Sequence, residues 1–340
     1  MRKVFACILT CLSVSVFAQT KTLKIATIAP NHSTWDIEER RLAQEWAQVT
    51  DKTIQIQFMG TTAMGGETGV IQKLNSVRPG QRAPIDGAIF TNLGIATLAP
   101  ETCFLTLAVP FMFRNQEEVD LVLEKLFPRF QSNLENKGYR ILGCFTVGWA
   151  YFYTKKPVHT PQDLKTQRLS VAGVGMPELI NSFKAAGFTT IDITPDKLLQ
   201  SMRSNGGCEG FYTIPLYAYA GQYYKSLPYI MSIPICPVIA AFVISEKTWS
   251  EIPDRYKADM LAAVKKAESS FVESQKTADH EYINRCVEEG YCTVVELSPE
   301  ETRVMEETLK SDASAMIKTG LFDQKMYDDV MAILERQRNQ

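Results

Sequence analysis

Residues 254–289 run without a single glycine or proline and are rich in Ala, Lys and Glu. Nothing in this stretch frees or blocks the backbone, so it predicts one long helix. At about 1.5 Å per residue it would extend roughly 50 Å, longer than one lobe of an ordinary domain is wide. A helix of that length must brace two bodies. A coiled-coil tail is the competing reading, and it fails because the apolar positions keep no sustained heptad. The whole chain fits a braced, two-domain molecule: 340 residues, 45% hydrophobic and 22% charged, is a folded chain too long for one compact core.

Upstream of the long helix the pattern alternates between strands and helices. Residues 23–28 read as a first strand closed by Pro30, and Ser33 or Thr34 can cap a helix over 35–49. A second strand follows at 54–59, a short helix at 67–74 and a third strand at 85–90. This order at short spacing predicts a parallel sheet with helices on its faces. Further strands are expected at 141–153, 169–171, 189–193 and 208–212, and helices at 177–186 and 195–204. Two more helices follow, after Ser298-Pro299-Glu300 and after Gly320. The chain holds no internal repeat, low-complexity tract or flexible linker.

The first residues set the compartment. Met1-Arg2-Lys3 is a basic start, an apolar run follows from Val4 to Phe17, and Val16-Phe17-Ala18 supplies a small-residue cleavage pattern. This predicts a signal peptide over 1–18 and a periplasmic protein. About 14 apolar residues are too few to cross a bilayer, which takes about 20, so a retained anchor is the weaker reading. Neither Cys7 nor Cys11 sits in a convincing lipobox. Without Arg2 and Lys3, the basic-to-acidic balance of 36 to 38 becomes 34 to 38, a net charge of −4. That balance leaves no electrostatic footprint for nucleic acid or an anionic membrane surface. Six cysteines would remain: Cys103, Cys144, Cys208, Cys236, Cys286 and Cys292. No CxxC pair occurs. Cys286 and Cys292 flank a Gly turn, within bridging reach if a helix ends there, whereas Cys103 and Cys144 read as buried free thiols.

Catalytic chemistry has no foothold. The three histidines, His32, His159 and His280, lie in no metal or nucleophile motif, and Gly173-Val174-Gly175 lacks the third glycine of a dinucleotide loop. There is no phosphate-binding loop and no nucleophile elbow. Aromatics cluster instead: Phe211, Tyr212, Tyr217, Tyr219, Tyr223, Tyr224 and Tyr229 in one group, and Trp149, Tyr151, Phe152 and Tyr153 in another. Such side chains suit a pocket wall with an apolar face and a polar tip, although most of them must also pack a core.

Five motifs, in order, resemble one family over nearly the whole mature chain. Ala63-Met64-Gly65-Gly66-Glu67 resembles a Gly-x-Leu-Gly-Gly-Glu turn, and Ile85-Asp86-Gly87-Ala88 an Ile-Asp-Met-Ala strand. Val109-Pro110-Phe111-Met112-Phe113 is similar to Leu-Pro-Phe-Leu-Phe. Lys156-Pro157-Val158 with Thr160-Pro161-Gln162-Asp163-Leu164-Lys165 is similar to the lead-in to a second lobe, and Gly206-Gly207-Cys208-Glu209-Gly210 to a Gly-x-x-Asp-Gly turn. The family is the DctP-like solute-binding subunit of tripartite ATP-independent periplasmic (TRAP) transporters. The resemblance implies an α/β fold of two lobes, each a mixed sheet flanked by helices, with one long helix bracing both. Lobe I would comprise 19–146 plus 232–265 and lobe II 147–231 plus 266–340, the helix 254–289 spanning the two. It also implies a protein that binds a solute, uses no cofactor, metal or catalytic residue, and hands the solute to membrane permease subunits.

The departures from the family pattern bear on the ligand. Where the resemblance places a carboxylate-clamping arginine the chain has Ser170, a second family arginine falls at Ala150, and an asparagine at Thr213. A hydroxyl cannot replace a bidentate guanidinium. Arg168 is the one candidate to substitute, since strand period two puts it on the face of Ser170. The expected ligand is therefore apolar or amphipathic, of a lipid-like kind. The alternatives are an organic acid held by Arg168, or an interaction protein with no transport role. A subgroup of the family that works with a tetratricopeptide-repeat partner shows similar departures. The ligand-facing residues expected are Trp35, Glu67, Phe90, Asn92, Trp149, Tyr151, Ser170, Met176, Phe211, Tyr212, Thr213 and Tyr217.

Overall fold

The computed structural model describes residues 20–76, 83–171 and 177–339; the expected signal peptide and Met176 lie outside them. The strands are β1 (Lys21–Thr27), β2 (Ile54–Gly60), β3 (Gly87–Thr91), β4 (Tyr139–Thr154), β5 (Leu169–Ser170), β6 (Thr190–Ile191), β7 (Gly210–Thr213), β8 (Tyr229–Met231), β9 (Cys236–Ser245) and β10 (Thr293–Val295). The helices are α1 (Thr34–Val49), α2 (Gly66–Asn75), α3 (Asn92–Leu98), α4 (Gln116–Glu135), α5 (Pro161–Thr166), α6 (Pro177–Ala185), α7 (Leu198–Arg203), α8 (Pro215–Ala220), α9 (Glu246–Ser250), α10 (Asp254–Glu288), α11 (Pro299–Lys318) and α12 (Gln324–Arg338).

Two sheets share β4. Its first part pairs with β9 from Tyr139 to Ala150, and β9 continues through β3 and β1 to the edge strand β2. Its last residues pair instead with β7 and β8, and β5, β6 and β10 complete the second sheet. The parallel order read from the sequence holds for β1 with β2 and β3, and for β5 with β6 and β7. β9 departs from it, running antiparallel to both β3 and β4. Its run Cys236-Pro237-Val238-Ile239-Ala240-Ala241-Phe242-Val243 is buried on both faces and so shows no alternation to read.

The long helix forms as expected, unbroken over 35 residues. It buries Tyr256, Met260, Val264 and Tyr282 with α1 in the core of the first sheet, and Ile283 and Cys286 under the second. Between them Phe271 meets Trp35 edge-on at 6.3 Å and Phe145 at 5.1 Å. Trp46 Nε1 donates to the Met260 carbonyl at 3.0 Å, and Gln275 Nε2 to the Val147 carbonyl at 2.7 Å. These bonds fasten α10 to α1 and to the shared strand. At the other end of the chain, Arg338 of α12 forks onto both oxygens of Glu118 at 2.7 Å each and reaches the Met112 carbonyl at 2.9 Å.

The cysteines correct one expectation and qualify another. Cys286 and Cys292 are free thiols, not a bridge. The helix end and Gly turn bring them into thiol hydrogen-bonding contact, which raises the pKa of Cys286 and lowers that of Cys292. Cys103 and Cys144 are free as expected, but only half-buried.

Phe271→Ala should lower unfolding free energy by about 3–5 kcal/mol, since it empties the midpoint of the bracing helix. Arg338→Ala should cost about 3 kcal/mol by leaving the buried Glu118 carboxylate without its cation. Urea denaturation of both variants against the parent chain checks these values.

Candidate functional site

The two sheets come together where their strands end. β1 runs into Ile28-Ala29-Pro30, after which the Ser33 hydroxyl accepts the Asp36 amide at 3.1 Å and opens α1. β7 runs through Ile214 into α8, whose first residue is Pro215. From α8 the Tyr217 hydroxyl donates to the carbonyl of Ile28, closing the carboxyl end of one sheet's strand against that of the other. Carboxyl ends of strands are where open α/β sheets take ligands. We treat this junction as the candidate binding site.

Two buried carboxyls sit at the junction. Glu39 Oε1 accepts the Thr27 hydroxyl at 2.6 Å. Glu67 accepts the backbone amide of Thr91 at 2.6 Å and its hydroxyl at 2.7 Å. Glycine at 94 leaves room for that carboxyl: a Cβ there would lie 2.5 Å from Glu67 Oε1 and 2.6 Å from the Phe90 ring. Burial pushes Glu39 up to about 8 against the Thr27 bond, and the nearby Asp36 charge adds to the rise. Burial also raises Glu67 against its two bonds from Thr91. The Tyr217 phenol is held well above its ordinary value, first by burial and then by the charges of Glu67, Tyr223 and Glu39. Among the described residues, neither carboxyl accepts a hydrogen bond from lysine or arginine.

The expected site residues divide among three places. Trp35, Glu67 and Tyr217 meet at the junction, with Phe90 and Asn92 flanking Thr91 and Phe211 standing edge-on to Tyr223 at 5.5 Å. Asn92 Oδ1 accepts the Ile239 amide at 2.7 Å, whereas its Nδ2 has no partner among the described residues. Ser170 lies between Ile191 and Phe211 of the neighbouring strands, buried, with its hydroxyl unpartnered among the described residues. Ala150 is wholly buried. Arg168 is committed elsewhere: Nε donates to the Gly207 carbonyl at 2.9 Å and the guanidinium pairs with Glu209 at 3.0 Å. Tyr212 packs in the core, stacked on Phe183 and tilted against Phe152, each at 5.7 Å.

Trp149 and Tyr151 form the third group. They alternate with Ala150 along β4, so they point away from the face it packs. Both line a cavity of about 330 Å³ against α10, while Thr213 pairs with Tyr151 at the end of β7. The wall includes Asp279, whose Oδ2 accepts the Trp149 amide at 2.8 Å and whose Oδ1 has no partner among the described residues. Burial pushes this carboxyl up to about 7 against the Trp149 bond.

Sequence reading missed Glu39 and Asp279 because isolated helix carboxylates usually mark a solvated face. The signal was periodicity. Glu39 falls on the stripe Trp35, Leu42, Trp46, and Asp279 on the stripe Cys286, Ile283, so each carboxyl occupies a core-facing position.

These buried acids fix a pH dependence. Glu39, Asp279 and also Glu268, which burial pushes up to about 7 against the pull of Lys265, hold protons more tightly folded than unfolded. Their contribution is complete below about pH 4 and is lost as pH rises through 7 to 8, at about 1.4 kcal/mol per unit for each group. Thermal denaturation should therefore show a higher Tm at pH 5.5 than at pH 8.5, about the interval these groups span. Glu39→Gln and Asp279→Asn should each flatten that slope.

The comparisons with known proteins follow this geometry. Residues 25–319 match the family described as bacterial extracellular solute-binding protein, family 7. A solute-binding protein of Roseobacter denitrificans is 22% identical over 260 residues, 76% of either chain. Its solved structure, described as a TRAP periplasmic solute-binding protein with bound L-galactonate, superimposes with a TM-score of 0.77 at 18% identity over 93% of this chain and 99% of that one. The sugar acid binding protein of Advenella mimigardefordensis, solved in complex with galactonate, superimposes with a TM-score of 0.80 at 16% identity over 94% and 99%. The two-lobed α/β fold is thus shared, and the chain belongs to the DctP family of bacterial extracellular solute-binding proteins, a binding protein and not an enzyme.

Proposed function

We propose that this chain is exported by the leader at 1–18, works in the periplasm, and delivers a solute to a TRAP-type secondary transporter. We further propose that the solute is an apolar or amphipathic molecule without a carboxylate. The lobes of this reading are 19–146 with 232–265, and 147–231 with 266–340. The solute lies between them, against Trp35, Glu67, Phe90, Asn92, Phe211, Thr213 and Tyr217, with Ser170 at its lobe II end. A tetratricopeptide-repeat protein is the further partner carried by the subgroup resemblance alone.

One observation carries the ligand class. The junction holds two buried carboxyls, the positions of the family arginines are a buried alanine and a buried serine, and Arg168 is bound to Glu209 and Gly207. A carboxylate entering there would be desolvated beside Glu39 and Glu67 with no cation among the described residues to meet it, at a cost of several kcal/mol. An uncharged ligand avoids that cost, and its hydrogen-bond donors and acceptors could satisfy the Asn92 amide and the Ser170 hydroxyl. The structural neighbours named above hold sugar acids, so a sugar acid is the reading to beat.

Thermal shift with galactonate, succinate, a medium-chain fatty alcohol and a monoacylglycerol decides between the two, alongside native mass spectrometry of the purified chain. Stabilisation by the uncharged amphiphiles and none by the acids is expected. Stabilisation by galactonate alone refutes the uncharged-ligand reading. Ser170→Arg should cost about 1–3 kcal/mol of stability, because the site at Ser170 is already filled.

A further inference from the structure

The hinge-side cavity is built asymmetrically. Its inner wall carries Asp279, buried, with one oxygen occupied by the Trp149 amide and the other unpartnered among the described residues. Its rim carries Arg114, Lys276 and His280, all exposed. Lys276 is shared with Glu273 at 2.5 Å, which leaves Arg114 the principal rim cation. Trp149 and Tyr151 supply aromatic walls. A volume of about 330 Å³ is that of a small-molecule pocket, and too large for a packing flaw.

From this arrangement we propose that the cavity binds a small zwitterion of the amino-acid class, with its ammonium group at Asp279 and its carboxylate at the rim beside Arg114. An ammonium donates where Asp279 Oδ1 lacks a donor, and aromatic faces favour a cation beside them. A carboxylate in the same molecule points outward to the guanidinium, which can grip it with two parallel donors. A cation alone would meet the repulsion of the basic rim. An anion alone would meet Asp279. The cavity lies on β4 and α10, the two elements common to both sheets, and its lining does not include Trp35, Glu39, Glu67 or Tyr217. The inference is independent of what the junction takes.

Isothermal titration calorimetry of the full chain with glycine, L-alanine, L-serine, L-glutamate and L-lysine tests it, with propionate and n-propylamine as single-charge halves of the ligand. At least one amino acid should bind one-to-one with Kd below about 1 mM, and both halves should bind about tenfold more weakly or worse. Asp279→Asn and Arg114→Gln should each weaken binding by about tenfold. Arg114 is exposed, so the second variant decides the matter if the first fails to fold. The proposal is overturned if no amino acid gives a binding heat, if propylamine binds as tightly as the amino acids, or if Arg114→Gln leaves the affinity unchanged.

Discussion

Everything in this molecule depends on one strand belonging to two sheets. β4 pairs with β9 over most of its length and with β7 and β8 at its end, so both lobes hang on a single extended segment. The register slips twice along it, between Ile141 and Gly143 and between Thr146 and Gly148, and the second slip lies just ahead of the change of partner between Ala150 and Tyr151. Gly148 takes a φ of +142° there, with Asp279 Oδ1 only 2.9 Å from where a side chain would begin. A bulge of this kind re-aims a strand, and here it turns one sheet into the next. α10 then closes the arrangement from one face, through Gln275 to Val147 and Asp279 to Trp149.

The two kinds of site differ in how their charged groups are placed. At the junction the chain has gathered carboxyls and a phenol with no paired lysine or arginine among the described residues, so low dielectric pushes Glu39 up to about 8 and Glu67 above its ordinary value. In the hinge cavity the acid is buried and the bases stand at the rim. Net charge, nearly balanced over the chain, reports neither fact. Burial and the local partners of individual carboxyls carry the information.

Much of the fold was legible in the sequence. The absence of glycine and proline gave α10, Ser33 gave the start of α1, and alternation gave β1 and β2. β9 was not legible because both of its faces are buried, and α4 was missed although Asn115 caps it by accepting the Glu118 amide. At the site, Trp35, Glu67 and Tyr217 lie around the junction. Aromatic clustering in the sequence could not separate Tyr212 from Trp149 and Tyr151, because clustering does not report which face of a strand a side chain takes. Tyr212 serves the core and the other two the hinge cavity.

The bond from Tyr217 to the Ile28 carbonyl has a consequence for affinity. It is a closure contact made by the chain itself, with no solute in it. One neutral hydrogen bond contributes about 1 kcal/mol, which corresponds to roughly a fivefold ratio between two states. Apparent affinity scales with the fraction of molecules already competent to bind. A change of population at this one phenol would therefore retune how tightly every solute is held.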